Sequence, residues 1–203
     1  MVDQRTLDFY AANAATYVQH GTDQPGTHLL AFMRTLSPGA HILELGTGSG
    51  RDAAHMLVHG FAVSPSDASP HLAAEAEQRL GRPVRIMAFH QLEDRALYDG
   101  VWASAALLHA PRHELTDDLA RIFRALRPGG LLVASFKAGG GEGRDTFGRY
   151  YNYPDTEQLR NHLTAAGDWA QIDLSENDGS GYDNQPTRWI WVRAMKPVSP
   201  LAR

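Results

Sequence analysis

Apolar residues along this chain follow two rhythms. Short unbroken runs such as His41-Ile42-Leu43-Glu44-Leu45 and Leu131-Leu132-Val133-Ala134-Ser135-Phe136 have the length of strands buried on both faces. Elsewhere the apolar residues are spaced by three and four, as in Leu115, Leu119, Ile122, Phe123 and Leu126, which predicts a helix from about Glu114. Helices are predicted over about Gln4–Gln19, Thr27–Leu36, Arg51–His59, Pro70–Leu80 and Asp155–Ala166. Ser69-Pro70 supplies an N-cap and first helical residue, and Gly60 and Gly81 suit helix ends. Strands are predicted over Ala40–Leu45, Phe61–Ser66, Val84–Met87, Gly100–Ser104 and Leu131–Phe136. Arg127-Pro128-Gly129-Gly130 breaks the chain before the fifth strand, and Lys137–Pro154 reads as a long glycine-rich loop. Two last strands, about Ala170–Leu174 and Thr187–Arg193, flank a polar connection, so they should pair as an antiparallel hairpin. Alternating strands and helices imply a mostly parallel α/β sheet.

The length of 203 residues fits one domain, 1–203, with residues 1–36 as a helical N-terminal cover and 197–203 as a flexible tail. No apolar run reaches the ~18–20 residues of a membrane helix. The first residues lack the apolar core of a secretion signal, so the expected location is the cytoplasm. The chain contains no cysteine, which excludes disulfides and thiol catalysis. Net charge is -4, the wrong sign for a nucleic-acid partner, and RNA methylation is disfavoured on the same ground. The pairs His109/His113 and His55/His59 have a spacing that can hold a metal, but each lacks a third ligand, so no metal is expected.

The segment Glu44-Leu45-Gly46-Thr47-Gly48-Ser49-Gly50 carries the clearest chemistry. A buried strand runs into three alternating glycines and then a helix, a loop that a ligand can approach closely because no Cβ intervenes. A dinucleotide loop wants G-x-G-x-x-G, and here Arg51 stands at the third glycine. Glu44 at the strand end would repel a pyrophosphate but suits a ligand carrying an ammonium and a sulfonium. Spacing and charge therefore favour S-adenosylmethionine over NAD. Asp67 lies 21 residues after Gly46, the separation at which an acid accepts from ribose hydroxyls; the alternative is a plain helix cap.

Three segments, Glu44–Gly50, Asp67-Ala68-Ser69-Pro70 and Leu126–Gly130, resemble the cofactor loop, ribose acid and pre-strand-five turn of class I S-adenosylmethionine-dependent methyltransferases. Tyr98–Ala103, Leu107–Pro111 and Ser135-Phe136-Lys137 resemble small bacterial members loosely similar to the tellurite-resistance methyltransferases. The resemblance implies a Rossmann-like seven-stranded sheet of order 3-2-1-4-5-7-6, strand seven antiparallel, with helices on both faces. It further implies S-adenosylhomocysteine as product and cofactor contacts from Glu44, Gly46, Thr47, Gly48, Gly50, Arg51, Asp67 and Ala68. After strand three, relatives usually carry an aspartate for the adenine amino group. This chain instead reads Ala88-Phe89-His90-Gln91-Leu92, so the Gln91 amide or the His90 imidazole is expected in its place, with Phe89 packing on the purine ring.

Methyl transfer is an in-line displacement and asks the protein mainly for positioning. The reaction centre is expected beyond strand four, near Ser104, Ala105 and His109. His109 is the candidate base or acceptor-orienting group; the alternative is a histidine bonding local backbone. Tyr10 and Tyr17 share a helix face and either line the acceptor pocket or dock the helix. Lys137, Arg149 and Tyr150, in the glycine-rich segment, are candidate acceptor contacts on a lid. A small-molecule acceptor leads; a nicotinamide-dependent oxidoreductase and a non-catalytic cofactor-binding module are the alternatives. Oligomeric state is not legible.

Overall fold

The computed structural model describes residues 3–20 and 23–198, so residues 199–203 of the expected tail lie outside the described residues. The helices are α1 (Gln4–Tyr17), α2 (Thr27–Thr35), α3 (Arg51–Val58), α4 (Pro70–Leu80), α5 (Leu115–Ala125) and α6 (Thr156–Ala166). The strands are β1 (His41–Leu45), β2 (Ala62–Asp67), β3 (Arg85–Ile86), β4 (Tyr98–Ala103), β5 (Leu126–Lys137), β6 (Gly141–Arg144), β7 (Tyr150–Tyr153), β8 (Gln171–Ser180) and β9 (Pro186–Met195). Local chemistry accounts for several boundaries. The Ser69 hydroxyl accepts from Leu72 N, Pro70 opens α4, and Gly81 ends it at φ 62°. At α6, Asp155 and Gln158 form a reciprocal capping box.

The main sheet has seven strands in the order β3-β2-β1-β4-β5-β9-β8. β1, β2, β3, β4 and β5 pair in parallel, and β9 joins β5 and β8 antiparallel. This is the expected order and direction, with β6 and β7 inserted between β5 and α6. Along β1, Ile42 packs with Phe32, Met56 and Trp102 on one face, while Leu43 and Leu45 join Val101, Leu107, Ile122 and Leu132 on the other. Both faces are covered by helices, which explains why the run is unbroken rather than alternating.

Three expectations are corrected. The segment 137–154 is not one long loop: β6 and β7 form a separate two-stranded antiparallel sheet. Glycine lowers strand propensity, but here it is outweighed by the cross-strand pairing and by Tyr151, Asn152 and Tyr153. The C-terminal hairpin is longer than expected, running through Ser180 and back from Pro186, because register from Gln171↔Met195 to Ser180↔Pro186 carries polar residues into the ladder. The fifth strand starts at Leu126 rather than Leu131. Its Arg127–Gly130 lead-in contains a register shift, and the Gly130 carbonyl accepts from Lys196 N.

Candidate functional site

The parallel strands end together at the edge where β1 gives way to the glycine loop. Gly46, Gly48 and Gly50 all have positive φ, at 71°, 54° and 75°. At Gly46 a Cβ would also stand 2.6 Å from the Ala106 Cβ. Thr47 N donates to the Ser66 carbonyl at 2.8 Å, which fastens the loop to β2.

Three carboxyl groups surround this loop. Glu44 is 3% exposed and accepts a short hydrogen bond from the Thr47 hydroxyl. Burial, with the neighbouring Asp52 charge, raises its pKa well above the carboxylate range. Asp52 is also raised by burial and accepts from Trp102 Nε1 at 2.7 Å. Asp67 closes β2, accepts from Gly48 N at 2.9 Å and from Ser69 N at 2.8 Å, and is pushed by burial up to about 6. Both its oxygens keep spare lone pairs. The guanidinium of Arg51, the residue after Gly50, is committed to protein acceptors: it bonds Asp23 Oδ1 at 2.9 Å, the Val18 carbonyl at 2.7 Å and the His20 carbonyl. It thereby ties the segment after α1 to the start of α3.

Three cavities meet at Ser104 and Ala105, just beyond β4. The first, under α1, is lined by Tyr10, Tyr17, Asp67, Ala68, Phe89 and His90, together with His109, Glu114 and Asp118. The second runs over the glycine loop past Glu44, Thr47, Arg51 and Asp52. The third is walled by His28, Trp102, Trp189 and Trp191, with Asp52 and Ser135. Of the residues singled out from sequence, Glu44, Gly46, Thr47, Gly48, Arg51, Asp67, Ala68, Phe89, His90, Ser104, His109, Tyr10 and Tyr17 line one or more of these cavities. Gly50 instead packs behind the loop against Ala76 and Leu80. Gln91 is exposed and its side chain is turned back to accept from Ala88 N at 2.8 Å.

Lys137, Arg149 and Tyr150 line none of the three cavities. Arg149 is 1% exposed, pairs with Asp145 at 2.7 Å, and lies 4.8–5.8 Å from the ring centroids of Phe9, Tyr10, Phe147, Tyr151 and Tyr182. Lys137 is buried over the Tyr151 ring, and burial lowers its pKa. The Tyr150 hydroxyl donates to Glu142 at 2.5 Å, away from the cavities. The β6–β7 hairpin is therefore fastened rather than free. Arg144 pairs with Asp3 at 2.7 Å, Tyr150 N donates to the Thr6 hydroxyl at 2.8 Å, and Arg112 reaches the Gly141 carbonyl at 2.8 Å. The hairpin is thereby tied to α1, whose Thr6, Leu7, Tyr10 and Tyr17 cover the first cavity.

His109 sits between that cover and the cavity. Its Nδ1 is 2.6 Å from the Tyr150 carbonyl and its Nε2 is 3.0 Å from Tyr10 Oη. Burial lowers its pKa to about 4, so it is neutral at neutral pH. His113 is largely exposed, His55 bonds the Asp23 carbonyl and His59 bonds the His55 carbonyl. No group of three metal-ligating side chains occurs among the described residues.

Asp118 and Glu114 were not among the residues read from sequence. Asp118 is 3% exposed, its Oδ1 has no hydrogen-bond partner among the described residues, and burial pushes its pKa to about 7. One signal was present: Asp118 occupies the i+3 position of the stripe Leu115, Leu119, Ile122, where an apolar residue belongs.

Residues 42–130 match the family model described as a methyltransferase domain. Over 126 residues the chain is 32% identical to protein-L-isoaspartate O-methyltransferase 2 of Polaromonas sp. (strain JS666 / ATCC BAA-500), covering 57% of this chain. It spans only about half of that curated relative, 56% of its length. The fold is shared with Burkholderia thailandensis 1,6-didemethyltoxoflavin-N1-methyltransferase, solved with 1,6-didemethyltoxoflavin and S-adenosylhomocysteine (TM-score 0.75, 23% identity, 96% of this chain and 88% of that one). It is shared too with phosphoethanolamine N-methyltransferase 2 of Haemonchus contortus, solved with phosphomonomethylethanolamine and S-adenosylhomocysteine (TM-score 0.75, 18% identity, 97% and 61%). Residues 42–130 are thus similar to a methyltransferase domain, and the seven strands in this order, with a glycine loop after β1 and an acid closing β2, share the fold of the solved methyltransferases named above.

Proposed function

We propose that this chain transfers the methyl group of S-adenosylmethionine to a small-molecule acceptor. The observation that carries the reading is the acid set around the glycine loop: Glu44, Asp52 and Asp67 are buried there, while Arg51 is committed elsewhere. Buried carboxylates that repel one another favour a cationic ligand and oppose a pyrophosphate. Both solved relatives named above hold S-adenosylhomocysteine, which supports the same cofactor here.

In this reading the cofactor supplies an activated methyl group on a sulfonium. Asp67 accepts from its ribose hydroxyls, Glu44 and Asp52 face its positive end, and Gly46 and Gly48 allow the close approach. Ser104 and Ala105, common to all three cavities, mark the transfer point, and the acceptor enters through the third, tryptophan-walled cavity. His109 stays neutral and holds the cover in register, so an acceptor that needs no strong base, such as a ring nitrogen or an amine, fits best. A small acceptor is supported by the closure of the first cavity under α1 and by the acidic net charge.

The test is thermal unfolding with S-adenosylmethionine, S-adenosylhomocysteine and NADH, followed by assay of S-adenosylhomocysteine release with an acceptor panel. The panel includes aromatic N-heterocycles, amines, an isoaspartyl peptide and tellurite. A ligand at 100 times its Kd adds about 2.7 kcal/mol. For a domain this size that is a rise of roughly 5–11 °C. A rise with both sulfur nucleosides and none with NADH is expected. A rise with NADH alone would turn the reading to the oxidoreductase. Cofactor binding without turnover on any acceptor would turn it to a non-catalytic module.

A further inference from the structure

We propose that Asp118, on the first turns of α5, recognises the exocyclic amino group of the cofactor's adenine ring. This rests on the cofactor reading above and adds to it the residue that distinguishes adenine from other bases.

Asp118 faces the first cavity together with Asp67, Ala68, Phe89 and His90. Asp67 stands at the end of β2 beside the glycine loop, where it meets the ribose in that reading; Asp118 comes from a different element, α5, and lines the same cavity. Asp118 is 3% exposed, and its Oδ1 touches no donor among the described residues. A buried carboxylate without a donor is costly, and a protein keeps one where a ligand supplies the missing hydrogen. Among the described residues the surrounding charges do not supply it. Glu114 is a like charge, and the Arg121 guanidinium, on the same helix, reaches out to the Leu92 carbonyl at 3.5 Å.

The segment after β3 leaves that role open. Gln91 is folded back onto Ala88 N, and the His90 side chain is largely exposed. Adenosine carries one nitrogen donor at the end opposite the ribose, the amino group of the base. A cavity lined by a hydroxyl-binding carboxylate from β2 and a separate, donor-starved carboxylate from α5 suits that nucleoside. Where Asp118 is ionised, at pH above about 7, a base bearing a carbonyl in place of the amino group would set two acceptors against each other, so Asp118 selects against it.

The test compares S-adenosylhomocysteine with S-inosylhomocysteine, whose ring bears a carbonyl where adenine bears the amino group. Affinities are measured by calorimetry on the wild type, Asp118→Leu and Asp118→Ala. The wild type is expected to bind the adenosyl compound about 10- to 100-fold more tightly. Both variants are expected to lose most of that preference through weaker binding of the adenosyl compound alone. Without ligand, Asp118→Leu is expected to melt no lower than the wild type, since it removes an unpaired buried charge; a purely structural role would lower it. Equal affinity of the wild type for the two nucleosides overturns the inference even if the variants fail to fold, and so does a preference retained in the variants. Binding of neither compound by the wild type would defeat the cofactor reading itself, a distinct result.

Discussion

The hydroxyl of Tyr10 lies 3.0 Å from Nε2 of His109 across 99 residues of sequence. The other ring nitrogen, Nδ1, lies 2.6 Å from the Tyr150 carbonyl, which can only accept, so Nδ1 carries the proton and Nε2 accepts from Tyr10. Tyr10 in turn accepts from Arg149 at 3.3 Å. One imidazole therefore joins α1 to the hairpin strand β7. Tyr10→Phe strands Nε2 and an Arg149 N–H and is expected to cost about 1–3 kcal/mol. At this size that is a fall in Tm of roughly 2–12 °C. Differential scanning calorimetry checks it. Turnover is expected to show no inflection near pH 6.5 from His109, because burial holds its pKa at about 4.

The acidic and basic groups of the site pull apo stability in opposite directions with pH. Asp67 is raised from 3.8 to about 6, so the folded chain holds that proton more tightly and stability falls as pH rises from about 4 to about 6. His109 is lowered from 6.5 to about 4, so the unfolded chain takes the proton first and stability falls as pH drops over that window. Asp67→Asn is expected to unfold more readily than the wild type on acidification, and His109→Gln less readily. Melting curves at several pH values between about 4 and 7, without cofactor, separate the two.

Glu44 trades stability for binding. Glu44→Gln replaces a group whose ionised form burial and Asp52 both disfavour, so the unliganded variant is expected to melt higher than the wild type. The same change removes an anion facing the ligand's positive end, with an expected loss of about 10- to 100-fold in S-adenosylmethionine affinity. A variant that loses both stability and affinity would show Glu44 to be structural.

Gly46→Ala meets two obstacles at once. A left-handed φ of 71° costs a residue with a Cβ about 1–2 kcal/mol. The new Cβ would also stand 2.6 Å from that of Ala106, and overpacking of this kind adds about 1–3 kcal/mol. The expected result is a lower Tm and loss of the thermal shift with S-adenosylhomocysteine. Gly26→Ala, where nothing lies within 4 Å, is the matched control.

Arg149 and Asp145 form a buried pair, with side chains 2% and 8% exposed. Arg149→Met leaves Asp145 unpaired and is expected to cost about 3–5 kcal/mol. Pairing it with Asp145→Asn is expected to recover part of that loss, as a double-mutant cycle on Tm would show.

Much of the site was legible because its signals are local. Strand, glycine loop and helix follow one another within residues 40–59, and Ser69-Pro70 and Gly81 mark the ends of α4 by chemistry that needs no distant partner. The hairpin β6–β7 was not legible, since its glycines argue for a loop and its strands are held by pairing with each other and by contacts from Asp3, Thr6 and Arg112. Arg149 illustrates the same limit. An arginine beside glycines and tyrosines reads as a ligand contact, and only the convergence of α1, the hairpin and Tyr182 turns it inward onto Asp145.

By itself the sequence determined the order of elements, the parallel sheet with its antiparallel edge, the glycine loop after β1 and the acid that closes β2. Each depends on hydrophobic period, turn chemistry or spacing over a few residues, which the chain carries wherever it goes. The tertiary structure alone decided which polar groups were left buried without partners and which were consumed. It set Asp118 into the first cavity, turned Gln91 back onto Ala88, committed the Arg51 guanidinium to protein acceptors, and placed Tyr10 on His109. Those outcomes depend on contacts between residues far apart in the chain, where burial and hydrogen bonding are settled by packing and not by neighbours in sequence.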